Sequence, residues 1–219
     1  MRKVIVQTGG VFSADDHASI GIGSLIIFIA MIISAGVAAS VVFQTMDSMQ
    51  QQALQTSQET IKDISSGLRL THVSGYASNG TITQLCFFVK TTAGSEAIDL
   101  SQTRLQLSNS QRMPILLFDN ESFSTGVTNG LFQTLNMSNL TNTEFGVLVI
   151  RDLDDSCTSN NPAINRNDLV GIMVNTTACF EGIDPRTSVS GKIVPEQGIS
   201  AIFDFTTPST LTDTIIDLQ

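Results

Sequence analysis

Only two histidines, His17 and His72, and three cysteines, Cys86, Cys157 and Cys179, occur in the 219 residues. A serine or cysteine triad would hang on a single histidine once the N-terminal segment is set aside. Neither a phosphate-binding loop nor a dinucleotide fingerprint is present; Gly21-Ile22-Gly23 lies inside an apolar run, where glycines serve close helix approach. These absences argue against an enzyme. Three cysteines are also too few for a disulfide scaffold and lack the paired spacing of a zinc site. Positive charge is scarce: 11 Lys and Arg oppose 20 Asp and Glu, for a net charge of −9. Such a surface repels phosphate backbones, which removes nucleic acid as a partner. Charged residues make up only 14% of the chain, and with abundant Thr and Ser this suits a protein exposed outside the cell.

What the chain does have is one long apolar run. Ile20 to Phe43 carries no charge over 24 residues, and a helix of that length covers about 36 Å, enough to cross a hydrocarbon core of about 30 Å. Residues 1–18 hold Arg2 and Lys3 but no apolar core of their own, so an ordinary secretory signal does not fit. Beyond the run, Gln44 to Leu70 contains no proline and sets Met46, Met49, Ala53, Ile61, Ile64 and Leu68 at spacings of three, four or their multiples. The helix is therefore expected to continue to about Ser66 or Gly67, where glycine ends it. A lone membrane anchor does not need such an extension, whereas a filament core of packed helices does.

From Thr71 the pattern changes to short β-branched and aromatic runs: Thr81–Thr92, Thr103–Leu107, Ile115–Phe118, Gly146–Ile150, Leu169–Asn175, Val189–Val194 and Ile199–Phe205. Turn formers such as Ser78-Asn79-Gly80 and Asn160-Asn161-Pro162 separate them. No intervening 10–15-residue helices alternate with these strands, so the expected class is α+β, a long apolar helix followed by an antiparallel β-sandwich or barrel. The expected divisions are a leader over 1–18, a helical segment over 19–70 and an outer domain over 71–219.

Arg151-Asp152-Leu153-Asp154-Asp155-Ser156 sets three carboxylates, Asp152, Asp154 and Asp155, directly after an expected strand. Oxygen-rich loops of this sort hold calcium or magnesium, and an acidic surface turn gives the same pattern. A metal here would brace a loop, since no histidine accompanies it. Five Asn-x-Ser/Thr sequons, at Asn79, Asn120, Asn136, Asn139 and Asn175, all lie in the outer domain and mark candidate sites for N-linked glycans. In a secreted domain Cys157 and Cys179 can close one disulfide loop, leaving Cys86 as a buried thiol; three reduced, buried cysteines are the other reading.

The stretch Ser19-Ile20-Gly21-Ile22-Gly23-Ser24-Leu25-Ile26-Ile27-Phe28-Ile29-Ala30-Met31, continuing into Ala35-Gly36-Val37-Ala38-Ala39-Ser40-Val41, closely resembles the N-terminal helix of archaeal flagellins (archaellins), within the type IV pilin-like superfamily. Gly191-Lys192-Ile193-Val194-Pro195-Glu196-Gln197-Gly198 and Phe205-Thr206-Thr207-Pro208 look like the closing strands of that family. Phe145 to Asp155 and Asn167-Asp168-Leu169-Val170 are similar in order and character. The resemblance implies cleavage between Ala18 and Ser19 by a prepilin-type peptidase, with His17/Ala18 as the fallback. Ala18 stands where glycine is common, and Asp15-Asp16-His17 replaces the usual basic residues.

It further implies a precursor held in membrane lipid and passed by a membrane assembly motor platform into an extracellular homo-polymer or mixed filament with related subunits. No catalytic residue and no required cofactor are implied, although some members carry a metal in the outer domain. Gly23 occupies the fifth mature position, where bacterial-type pilins often carry Glu, which disfavours that class. An archaeal adhesive pilus subunit and a membrane-anchored binding domain that never polymerises are the alternatives.

Overall fold

The structure, a computed structural model, describes residues 15–219, with side chains from Gly21 onward. The leader and both candidate cuts, Ala18/Ser19 and His17/Ala18, fall outside the residues described in full. The chain divides into two compact units, residues 1–57 and 58–219.

Helix α1 (Asp15–Ser65) runs for 51 residues without a break, about 75 Å of helix. Its hydroxyls bond back to its own backbone: Ser24 Oγ to Gly21 O at 2.9 Å, Ser34 Oγ to Met31 O at 2.9 Å, Ser40 Oγ to Val37 O at 2.8 Å and Thr45 Oγ1 to Val41 O at 2.8 Å. Each polar side chain of the apolar run is thus satisfied internally, so the helix enters an apolar medium without orphaned donors. The helix stops where Ser66 N–H bonds the Lys62 carbonyl and Gly67 meets Ile199. A Cβ at Gly67 would lie 2.8 Å from the Ile199 oxygen, so only glycine permits this exit.

Strand β1 (Leu68–Ser78) begins at once, and the change of pattern expected at Thr71 comes three residues early. Leu68, expected on the apolar stripe of the helix, is instead 2% exposed in the core of the domain. Nine strands make one sheet: β1, β2 (Thr81–Thr91), β4 (Arg104–Ser108), β5 (Ile115–Ser124), β6 (Glu144–Arg151), β8 (Leu169–Asn175), β9 (Ser188–Val194), β10 (Ala201–Thr206) and β11 (Ile215–Asp217). They lie in the order β10-β9-β4-β5-β6-β8-β2-β1-β11, and β3 (Ile98–Asp99) pairs separately with β7 (Ala163–Ile164). A short helix, α2 (Thr176–Phe180), follows β8.

All pairings are antiparallel except β5 with β6, where Leu117 faces Glu144 and Phe123 faces Val147. A parallel pair needs a crossover, and residues 125–143 supply it. The sheet curls so that Phe203 of β10 packs on Phe87 of β2 with ring centroids 4.6 Å apart, while the parallel bridge from Gly67 to Ile199 ties the start of β1 to the start of β10. Alternation along the strands sends Leu85, Phe87 and Val89 inward with Val147, Val149, Val170 and Ile172. Cys86, Leu148 and Met173 point outward and are covered by Phe132, Leu135, Met137 and Leu140 of the crossover. The domain thus has two apolar layers, one on each face of the central strands.

Candidate functional site

In α1 the large apolar residues from Ile22 to Phe43 are exposed on every side of the helix, Ile22, Phe28, Ile29, Met31, Val37 and Val41 among them, and Met46, Met49, Leu54, Ile61 and Ile64 extend the apolar surface beyond the run. A soluble monomer rarely leaves such a surface bare. Burying these 18 large side chains is worth on the order of 30–50 kcal/mol gross, well above an association cost of about 4–15 kcal/mol. Among the described residues this is the helix long and apolar enough to cross a membrane. Gly21, Gly23 and Gly36 have nothing within 4 Å of where a Cβ would stand, so each offers a notch to an incoming helix.

The second site is the loop after β6. Asp152, Asp154 and Asp168 bring carboxylate oxygens within 4.8 Å of one another. Asp155, expected with them, is not in the group: its backbone turns through φ +54° and its side chain is exposed. The member that sequence reading missed is Asp168, which sits just before β8 and comes to the loop because Leu169 pairs with Arg151. Asn167-Asp168 ahead of a buried strand was the available signal.

Hydrogen bonds fix the three carboxylates. Asp152 Oδ2 accepts from Cys157 N–H at 2.9 Å and its Oδ1 from Asp154 N–H at 3.2 Å. Asp154 Oδ2 accepts from Asn165 Nδ2 at 2.7 Å, and Asp168 Oδ2 from Asn165 N–H at 2.8 Å. The Ser156 hydroxyl and then the Asn165 amide hold the Asp154 carboxyl below the usual carboxylate range. Burial first, and the neighbouring Asp152 and Asp154 after it, push Asp168 up. Asp168 is 1% exposed, and its Oδ1 has no hydrogen-bond partner. A buried carboxylate oxygen left bare beside two more carboxylates suits a hard cation that takes oxygens at about 2.3–2.6 Å.

Four of the five sequon asparagines, Asn79, Asn120, Asn136 and Asn139, are exposed. Asn175 departs from expectation. Its Nδ2, the atom a glycan would occupy, donates to Met137 O at 2.8 Å and Leu140 O at 3.3 Å, while its Oδ1 caps α2 through Thr177 and Ala178 N–H. Its role is structural, pinning the crossover to the end of β8. The Cys157–Cys179 disulfide also fails to form: all three cysteines are free and buried. Cys157 lies near the start of β8 and Cys179 beyond its end, so seven residues of strand, about 20 Å, separate them, whereas a bond needs Cα atoms within about 7 Å.

Comparison with known proteins gives a consistent result. The chain is 36% identical over 212 residues to flagellin B2 of Methanocaldococcus jannaschii, covering 95% of this chain and 98% of that one. It is 40% identical over 220 residues to flagellin B5 of Pyrococcus abyssi, covering 93% and 99%. Its fold matches the crystal structure of archaeal flagellin FlaB1 from Methanocaldococcus jannaschii with a TM-score of 0.64 and 32% identity, over 70% of this chain and 97% of that one. The archaeal flagellum of Methanospirillum hungatei shares the fold at a TM-score of 0.63 and 19% identity, over 90% of this chain and 98% of that one. With residues 18–205 matching the model of the archaeal-type flagellin family, the long bare helix and its β-domain identify the chain as a member of that family.

Proposed function

We infer that the chain is the structural subunit of an archaeal swimming filament, the archaellum, exposed at the cell surface and polymerising with copies or related subunits. The observation that carries this reading is the helix apolar on every side and bare in the monomer, joined to a domain whose own core is closed. The subunit is structural and not an enzyme. Its α1 surface serves twice, first against membrane lipid in the precursor and then against neighbouring α1 helices. Removal of residues 1–18 by a prepilin-type peptidase frees the helix for transfer by a membrane assembly motor platform. Mass spectrometry of the N-terminal peptide from sheared filaments tests it. A terminus at Ser19 is expected; a chain retained in the membrane with its leader attached would favour an anchored binding domain instead.

A second reading concerns the acidic loop. The bare, buried Asp168 Oδ1 supports a structural calcium or magnesium held by Asp152, Asp154 and Asp168, which would tie the β6–β7 loop to the start of β8. The exposed Asn79, Asn120, Asn136 and Asn139 remain the candidate positions for N-linked glycans.

A further inference from the structure

Positive charge is scarce in this chain, yet Arg69, Lys90, Arg151 and Arg166 line one cavity of about 370 Å³. The topology gathers them. Arg69 of β1 and Lys90 of β2 are direct cross-strand partners, with Leu68 and Val89 beside them in the core. Val89 in turn pairs with Val170 of β8, and Arg151 at the end of β6 pairs with Leu169. Arg166 lies just ahead of β8. Arg151 is further fixed by its Nε–H bond to the Asn167 carbonyl at 2.8 Å.

Like charges directly opposed across a strand pair destabilise it, and this chain has acidic residues to spare. None of the four cations takes part in the ion pairs Lys62–Glu96, His72–Asp217 and Arg112–Glu181. Four cations outside these ion pairs, Arg69, Lys90 and Arg151 on strands and Arg166 in the turn before β8, surround one concavity and form a focused positive field on a protein whose remaining surface is strongly negative. Arg69, Arg151 and Arg166 are exposed and Lys90 is half-buried, so the field is open to solvent.

We propose that this cavity receives carboxylate side chains from a neighbouring copy of the chain, making a polar subunit–subunit contact in addition to the apolar packing of α1. The assignment rests on the filament reading. It follows from charge complementarity between copies: a net charge of −9 per chain makes lateral packing of the domains repulsive unless positive patches meet negative ones.

The test is a paired Arg69→Glu, Lys90→Glu variant expressed in cells that assemble the wild-type filament. We expect filament yield to fall by about tenfold or more, with wild-type filaments dissociating at a lower temperature as NaCl rises from about 0.05 M to about 1 M. The full-length variant in detergent should keep the wild-type subunit melting temperature. If it melts early, Arg69→Gln, Lys90→Gln, which removes charge without reversing it, takes its place. Variant filaments with normal yield and normal salt response would overturn the proposal. Phosphate or citrate that raises the melting temperature of the wild-type subunit but not of the variant, with assembly unaffected, would make this a small-anion site and equally remove the neighbouring copy. Absence of the wild-type chain from the sheared filaments of those cells would instead count against the filament reading itself.

Discussion

Gly198 lies so close to the carbonyl of Ser66 that a Cβ at position 198 would run into it, and its backbone holds φ at +92°. The β9–β10 turn is thereby clamped onto Ser66, the residue that follows α1. Gly198→Ala meets both a backbone penalty and a collision with the main chain of Ser66 and Gly67. It should destabilise the domain by about 2–4 kcal/mol. Gly80→Ala is the control: φ is +83° but nothing lies within 4 Å, so the loss should be nearer 1 kcal/mol. Denaturant unfolding of the full chain in detergent checks this, and equal losses would show that dihedral strain alone matters.

Seven strands were legible in the sequence because short β-branched and aromatic runs between turn formers mark strands locally, and β8, a continuous apolar run buried on both faces, was placed to the residue. Strand β1 was not. Its start, Gly67-Leu68-Arg69-Leu70, continues the apolar spacing of α1, and what separates strand from helix is the approach of Ile199, more than 100 residues away in the chain. The parallel β5–β6 pair was hidden for the same reason, since register across a crossover leaves no local trace. In the acidic loop, Asp152 and Asp154 could be read from adjacency, whereas Asp168 reaches the loop only through the pairing of Leu169 with Arg151, and Asn167-Asp168 ahead of a buried strand was its one local signal. Asn175 matched the glycan pattern with Thr177, yet the same spacing serves a helix cap.

Metal dependence separates the carboxylates. If calcium or magnesium bridges Asp152, Asp154 and Asp168, a chelator should lower the melting temperature of the wild-type subunit by several degrees, roughly the effect of ligand at about 100 times its dissociation constant. Asp168→Asn should melt low with or without chelator, whereas Asp155→Asn should respond like wild type. A wild-type chain indifferent to chelator would leave the Asp168 carboxylate without a cation partner and sink the metal reading.

Asn175 makes a paired forecast. Because its Nδ2 is bonded to Met137 and Leu140 carbonyls, glycopeptide mapping of native filaments should find its peptide unmodified even where Asn79, Asn120, Asn136 or Asn139 is occupied. Asn175→Ala removes the α2 cap and both carbonyl contacts, and should cost about 2–4 kcal/mol in unfolding experiments. A glycan on Asn175, or a fully stable alanine variant, would contradict the structural role.

The buried thiols set an alkaline limit. Burial pushes Cys157 up to about 12 and Cys179 up to about 11, and raises Cys86 further still, with Asp152 and Asp168 adding to the shift at Cys157. Each folded-state value lies above the ordinary thiol value, so the unfolded chain loses these protons first. Their stabilising contribution is intact below about pH 8.5 and is lost as pH rises toward the folded values. Melting temperature should decline above about pH 9, and Cys86→Ala, Cys157→Ala and Cys179→Ala should each flatten that decline. Reductant should leave the melting temperature unchanged, and thiol reagents should count three cysteines only after unfolding.

Ile29 is 48% exposed in the monomer and sits in the charge-free run from Ile20 to Phe43. Ile29→Asp places one carboxylate there. In the precursor a charge at mid-bilayer costs about 3 kcal/mol, which a run this apolar absorbs, so membrane insertion should survive. In a filament the same charge is buried once per subunit against apolar neighbours with no partner, and the penalty repeats along the polymer. Immunoblots should therefore find the variant in the membrane fraction and absent from the sheared fraction, with no filaments in electron micrographs. Ile29→Val, which removes one methylene and no apolar character, should assemble normally. Full-length filaments built from Ile29→Asp would mean that this face of α1 looks onto water or a cation in the polymer, and the packed apolar core would have to be abandoned.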